Sequence, residues 1–129
     1  MRLEDRVEAC IEDALKGMYE AFPELLERYG ERGVQKCRED NRHHFRHLDT
    51  AYLLRSSNIF TDYALWLNGM LVRFGMKPDH LIDNFERLIR SIPKRFEEDR
   101  AASYVEYLHQ AIAAMRQGLG NAVSPVSKD

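Results

Sequence analysis

Cys37-Arg38-Glu39-Asp40-Asn41-Arg42-His43-His44-Phe45-Arg46-His47-Leu48-Asp49-Thr50-Ala51-Tyr52-Leu53-Leu54 is a helix-length stretch whose inward face is polar. At about 100° per residue, Cys37, Asn41, His44, Leu48 and Ala51 share one side, with Asp40 and His47 at its margin. An ordinarily packed helix would carry aliphatic residues there. A thiol, an amide, a carboxylate and imidazoles on such a face must be hydrogen-bonded to one another or to a ligand, because burying them unpaired is costly. The face reads as the wall of a ligand pocket.

The sequence on either side has the same helical period, and no alternating β pattern persists. Upstream, Leu3, Val7, Cys10, Ile11, Ala14, Leu15 and Met18 form a 3-4 stripe that predicts a helix over about 3–19. Pro23 suits the first turn of a short second helix, and Gly30 suits its left-handed cap. A third helix starts near Glu31 to Val34 and runs to about Arg55. Ser56-Ser57-Asn58 breaks it, with Asn58 the expected N-cap of the next. That fourth helix, about 59–74, carries Phe60, Tyr63, Ala64, Leu67, Met70, Leu71 and Phe74 on one side and stops at Gly75. Pro78 opens a fifth with Leu81, Ile82, Phe85, Leu88 and Ile89 inward. Pro93 is expected to end it, and a last helix from about Lys94 to Gly118 buries Phe96, Tyr104, Val105, Leu108, Ile112 and Met115. The chain is thus expected to be all-α, with about six helices in one domain over 1–119 and a disordered tail over 120–129. Unequal helices with short breaks favour crossed, globin-like packing over a regular four-helix bundle.

Bulk properties narrow the function classes. The 129 residues include 19 basic and 21 acidic side chains, a formal net charge of −2, with the basic residues spread along the chain. Neither nucleic acid nor an anionic membrane is implied. No apolar run approaches the ~20 residues of a membrane span. The first residues lack the apolar centre of a signal peptide. Two cysteines make no disulfide framework, so a reduced, cytoplasmic protein is expected.

Residues 19–92 carry a family resemblance. Tyr19-Glu20-Ala21-Phe22-Pro23-Glu24-Leu25-Leu26, followed by Gly30 and Gly33, is similar to the segment before the chromophore cysteine of phycobiliproteins. Cys37-x-x-Asp40 matches their bilin-attachment motif. His43-His44-Phe45-Arg46 and Thr50-Ala51-Tyr52 fall where the family has its aromatic pair with arginine and its small-residue and tyrosine run. Thr61-Asp62-Tyr63, Trp66-Leu67-Asn68-Gly69 and Phe74-Gly75-Met76-Lys77-Pro78 echo three further family segments, in order and with little gapping. The resemblance implies a globin-like fold and a linear tetrapyrrole (bilin) as ligand. Two departures accompany it: Glu39 stands where the family carries a propionate-binding arginine, and the chain starts too late for the antenna-assembly helices. A globin associated with bilin biosynthesis fits better than a light-harvesting subunit. Similar helical patterns occur in non-haem sensory globins and before cobalamin-binding domains.

The resemblance turns the polar face into site expectations. A bilin needs an apolar slot, an acceptor for its ring N–H groups and cations for its propionates. Asp40 is the candidate acceptor, and Arg38, Arg42 and Arg46 are the nearest cations. Cys37 is the candidate for thioether attachment, if its thiolate is accessible; the alternative is an inert thiol, as for Cys10. Asn41, His44 and His47 are candidate polar lining, and Tyr63 a hydrogen-bonding residue; Trp66 is expected in the core. His44 or His47 could instead ligate haem or a metal, although His80 and His109 supply no second cluster. A ligand-free sensory or interaction globin, with this face satisfied internally or forming a dimer seam, is the third reading. No catalytic constellation is evident. The leading expectation is a non-enzymatic bilin carrier or chaperone, working with bilin-synthesising enzymes and possible as a homodimer.

Overall fold

Prolines, glycines and acidic first turns divide the chain into five helices in a computed structural model that describes residues 2–118. They are α1 (Leu3–Ala21), α2 (Pro23–Leu54), α3 (Ser57–Arg73), α4 (Pro78–Arg95) and α5 (Glu98–Gly118). Glu4 and Asp5 in the first turn of α1, and Glu98 and Asp99 in that of α5, complement the positive end of the helix dipole. The Glu97 carboxylate accepts from the backbone N–H groups of Asp99 and Arg100, satisfying donors that the start of α5 leaves open. Pro23 and Pro78 occupy first-turn positions of α2 and α4, where a missing N–H does no harm.

The second and third predicted helices run on as one element, α2, interrupted at Gly30. Its φ of 67° and ψ of −163° lie in a region reserved for glycine, so Gly30 breaks the helical path without ending the segment. Two other boundaries differ from expectation, while α2 ends where expected. Arg55, at φ 54° and ψ 44°, takes the left-handed cap of α2. Ser56 rather than Asn58 precedes α3 as its N-cap, two residues earlier than the sequence suggested. Pro93 lies inside α4, because the fully buried Ile92 and the bond from Phe96 N–H to its carbonyl hold the chain helical beyond the proline.

α1 packs on α4 and α2, and α5 on α3 and α4. The expected stripes meet in one core of Ile11, Leu15, Phe45, Leu48, Phe60, Phe85, Leu88, Leu108 and Met115. Phe45 stacks on Phe96 at 5.9 Å, and Tyr104 closes the cluster. Two expected core residues are outside. Trp66 is 62 % exposed and Phe74 73 % exposed, because the apolar arc of α3 is wider than the face its neighbours cover. The proposed tail over 120–129 lies outside the described residues. Among the described residues no helix is long and apolar enough to cross a membrane.

Candidate ligand-binding site

Alongside α2 the packing leaves three adjoining hollows. The inner one, about 350 Å³, is mainly apolar, with Met18, Leu25, Leu67, Met70 and Leu81 among its walls, and it meets Cys37, Asp40 and His44 on α2. An outer cleft of about 580 Å³ opens between α2 and α3, with His47, Ile59, Tyr63 and Trp66 around it. Lys36, Asp40, Leu67 and Met70 line both. A third hollow, about 430 Å³, continues past Leu25, Tyr29, Met76 and His80 to Glu24, Glu27, Arg28 and Lys77.

Asp40 therefore stands on the wall between the inner cavity and the outer cleft. Its side chain is 18 % exposed and pairs with Lys36, one helical turn earlier, at 3.1 Å. Lys36 is 67 % exposed, so the pair is of the solvated i,i+4 kind worth under ~1 kcal/mol, and an incoming donor can replace it.

Cys37 is half-buried at the cavity wall, 3.7 Å from Asn41 Nδ2. Burial, and then the Asp40 charge, push its thiol up to about 12. It stands as a neutral thiol near pH 7, whereas addition to an unsaturated ligand calls for thiolate.

Behind the cavity a polar network is satisfied internally. Asn41 and Asn84 exchange amide bonds, Nδ2 to Oδ1 at 3.0 Å and 2.9 Å, and Asn41 Nδ2 also donates to the Cys37 carbonyl at 2.9 Å. His44 Nε2 lies 3.3 Å from Asn84 Oδ1, and its Nδ1 2.7 Å from the Tyr63 hydroxyl. Since Asn84 Oδ1 can only accept, Nε2 carries the proton and Tyr63 donates to Nδ1. Burial pushes His44 down to about 3 and raises Tyr63, so both are neutral over the physiological range.

The candidate site residues thus divide. Cys37, Asp40 and His44 meet at the inner cavity, and His47 and Tyr63 at the outer cleft. The His47 ring stacks on Tyr63 at 3.8 Å, with Nδ1 donating to the His43 carbonyl at 2.9 Å. Asn41 lines no hollow: it is fully buried and engaged by Asn84, so its part is to hold α2 against α4. Arg38 is also a correction. It turns to α1 and grips Glu12 through Nε and Nη2 at 2.8 Å and 3.1 Å, as Arg42 grips Glu8 at 2.8 Å and 3.0 Å. Arg46 lies against exposed His43. The cation at the site is Lys36, which sequence reasoning passed over although its i,i+4 spacing to Asp40 was visible. Asn84 was missed as well; an amide between Leu81 and Phe85 on an apolar stripe was its signal.

His44 has both ring nitrogens engaged, so ligating haem iron would cost it Tyr63 or Asn84. Among the described residues no three His, Cys, Asp or Glu side chains gather as a metal site.

Five helices packed around a carboxylate-divided cleft make an all-α, globin-like protein. The chain belongs to the phycobilisome protein family, whose model matches residues 1–115. No curated protein and no solved structure matches it. A linear tetrapyrrole is the ligand class this membership brings to the site. The residues fit one: the apolar walls suit its rings, Asp40 suits ring N–H groups and Lys36 suits a carboxylate.

Proposed function

We propose that the protein binds a linear tetrapyrrole in the cleft beside α2 and acts as a non-enzymatic carrier or chaperone linked to bilin biosynthesis. The observation that carries this reading is the placement of Asp40 between the apolar cavity and the outer cleft, under a lysine pair weak enough to exchange. Asp40 accepts hydrogen bonds from ring nitrogens, and Lys36, released from it, faces a propionate. Tyr63 and His44 form the neutral backing that fixes the α2 wall. When bound, the tetrapyrrole supplies colour and a conjugated cation that the Asp40 charge stabilises. Burial that keeps the Cys37 thiol neutral favours a pigment held non-covalently, which can be passed on.

The test is titration of the purified protein with biliverdin. A saturable red shift of the long-wavelength band is expected, weakened and blue-shifted in Asp40→Asn and unchanged in Arg38→Gln. No spectral change with the folded wild type defeats the reading. The loaded protein should also release its pigment, chemically intact, to an excess of a second bilin-binding protein. Retained or altered pigment defeats the carrier role.

A further inference from the structure

The inner cavity, about 350 Å³, lies near the lower end of the ~300–1,000 Å³ of small-molecule sites. Four linked rings with two propionates exceed it, so a tetrapyrrole whose nitrogens meet Asp40 must extend into an adjoining hollow. Two hollows adjoin it: the third shares Leu25, Tyr29, Met76 and His80 with the inner cavity, whereas the outer cleft shares Lys36, Asp40, Leu67 and Met70 and is the one that also borders Asp40. The lining of that cleft sets the rings of His47, Tyr63 and Trp66 among the charged side chains of Lys36, Asp40 and Asp62. His47 lies nearly parallel to Tyr63, at 10°, and the indole of Trp66 stands 6.5 Å from Tyr63. Trp66 is the chain's single tryptophan and is 62 % exposed. Together with Ile59 and Met70 it makes an apolar rim to a concave surface, the setting in which exposed aromatics mark a binding site rather than stray surface.

We propose that Trp66 is a ligand-contacting residue, and that one terminal ring of the tetrapyrrole lies in the outer cleft stacked on its indole. The inference rests on the tetrapyrrole reading above and adds the ligand's direction: it runs from the inner cavity, past Asp40, toward α3. Hydrophobic contact and π-stacking supply the attraction, so ring identity matters more than the indole N–H.

The experiment compares wild type, Trp66→Ala and Trp66→Phe by absorbance titration with biliverdin, with circular dichroism of each apo-protein as the folding control. Loss of one stacking platform is expected to weaken binding about tenfold in Trp66→Ala, with Trp66→Phe restoring most of it. The visible circular dichroism of the bound pigment should change in both, since the stacked ring sets its twist. If wild type binds and folded Trp66→Ala binds equally well, Trp66 is no contact and only this inference falls. If wild type does not bind, the tetrapyrrole reading falls and takes this one with it. Should Trp66→Ala fail to fold, the Trp66→Phe spectrum decides: pigment dichroism identical to wild type overturns the contact.

Discussion

Tyr63 donates its hydroxyl to Nδ1 of His44 across 2.7 Å, and this bond ties α3 to α2 where the inner cavity meets the outer cleft. One side of the bond is core: His44 packs edge-on against Phe85 at 5.1 Å. The other is the cleft wall, where the Tyr63 ring carries His47. The core and the cleft wall thus share one pair of side chains.

Removing both halves of a buried polar pair should cost less than the sum of removing each alone. Asn41→Leu alone strands Asn84 Nδ2, and Asn84→Leu alone strands Asn41 Oδ1 and His44 Nε2–H. Each single change is expected to lower stability by about 2 kcal/mol or more. The double variant should be less damaging than the two effects added, a favourable coupling that urea denaturation of all four proteins will read.

Acid should unfold the protein partly through His44. Burial lowers its folded value to about 3, below the ~6.5 of an unfolded histidine. The unfolded chain therefore takes up a proton that the folded chain refuses as pH falls below ~6.5. Stability from this group is full above that value and drops by up to about 1.4 kcal/mol per pH unit toward pH 3. Denaturant midpoints measured from pH 7 to 4 should fall less steeply in His44→Gln. The carboxylates of Glu8 and Glu12, lowered by Arg42 and Arg38, add a smaller loss below about pH 4.5 in both proteins.

Cys37 should alkylate slowly. With its thiol pushed up to about 12, iodoacetamide labelling at pH 7.5 is expected to run far slower than for a free cysteine, and to quicken at each step up to pH 10. Asp40→Asn removes the second cause of that shift and should speed the reaction. Mass spectrometry of labelled peptides separates Cys37 from Cys10, which burial also pushes up, to about 11.

Gly30→Ala should destabilise by about 1–3 kcal/mol, although no atom would meet the added methyl. The cost is wholly conformational, since φ is 67° with an extended ψ. Because Gly30 sets the angle at which Leu25 and Tyr29 reach the inner cavity, the same variant should also weaken biliverdin binding. Thermal melts and a titration check the two effects.

The helical class, the apolar stripes and the special backbone at Gly30 were all legible, because a 3.6-residue period and a glycine preference are local properties. Cys37 and Asp40 were legible as neighbours on one wall for the same reason: three residues of helix place them there whatever surrounds them. The arginines were not. Whether Arg38 serves a ligand or a partner helix depends on Glu12, 26 residues away, and helix packing alone brings the two together. Trp66 misled because lying about one turn from Tyr63 gives a direction but not a limit. How far around α3 the core extends is set by the diameters and crossing angles of the helices against it.

The sequence by itself therefore determined that this chain is a set of amphipathic helices, where they break, and which of them carries a carboxylate three residues after a thiol. Only the tertiary structure decided that Asn41 and His44 are satisfied by Asn84 and Tyr63, and that Asp40 remains at an open wall beside Lys36. The physical reason is reach. Periodicity fixes a side chain's bearing about its own helix axis, but its hydrogen-bond partner and its exposure come from whatever another helix places opposite it.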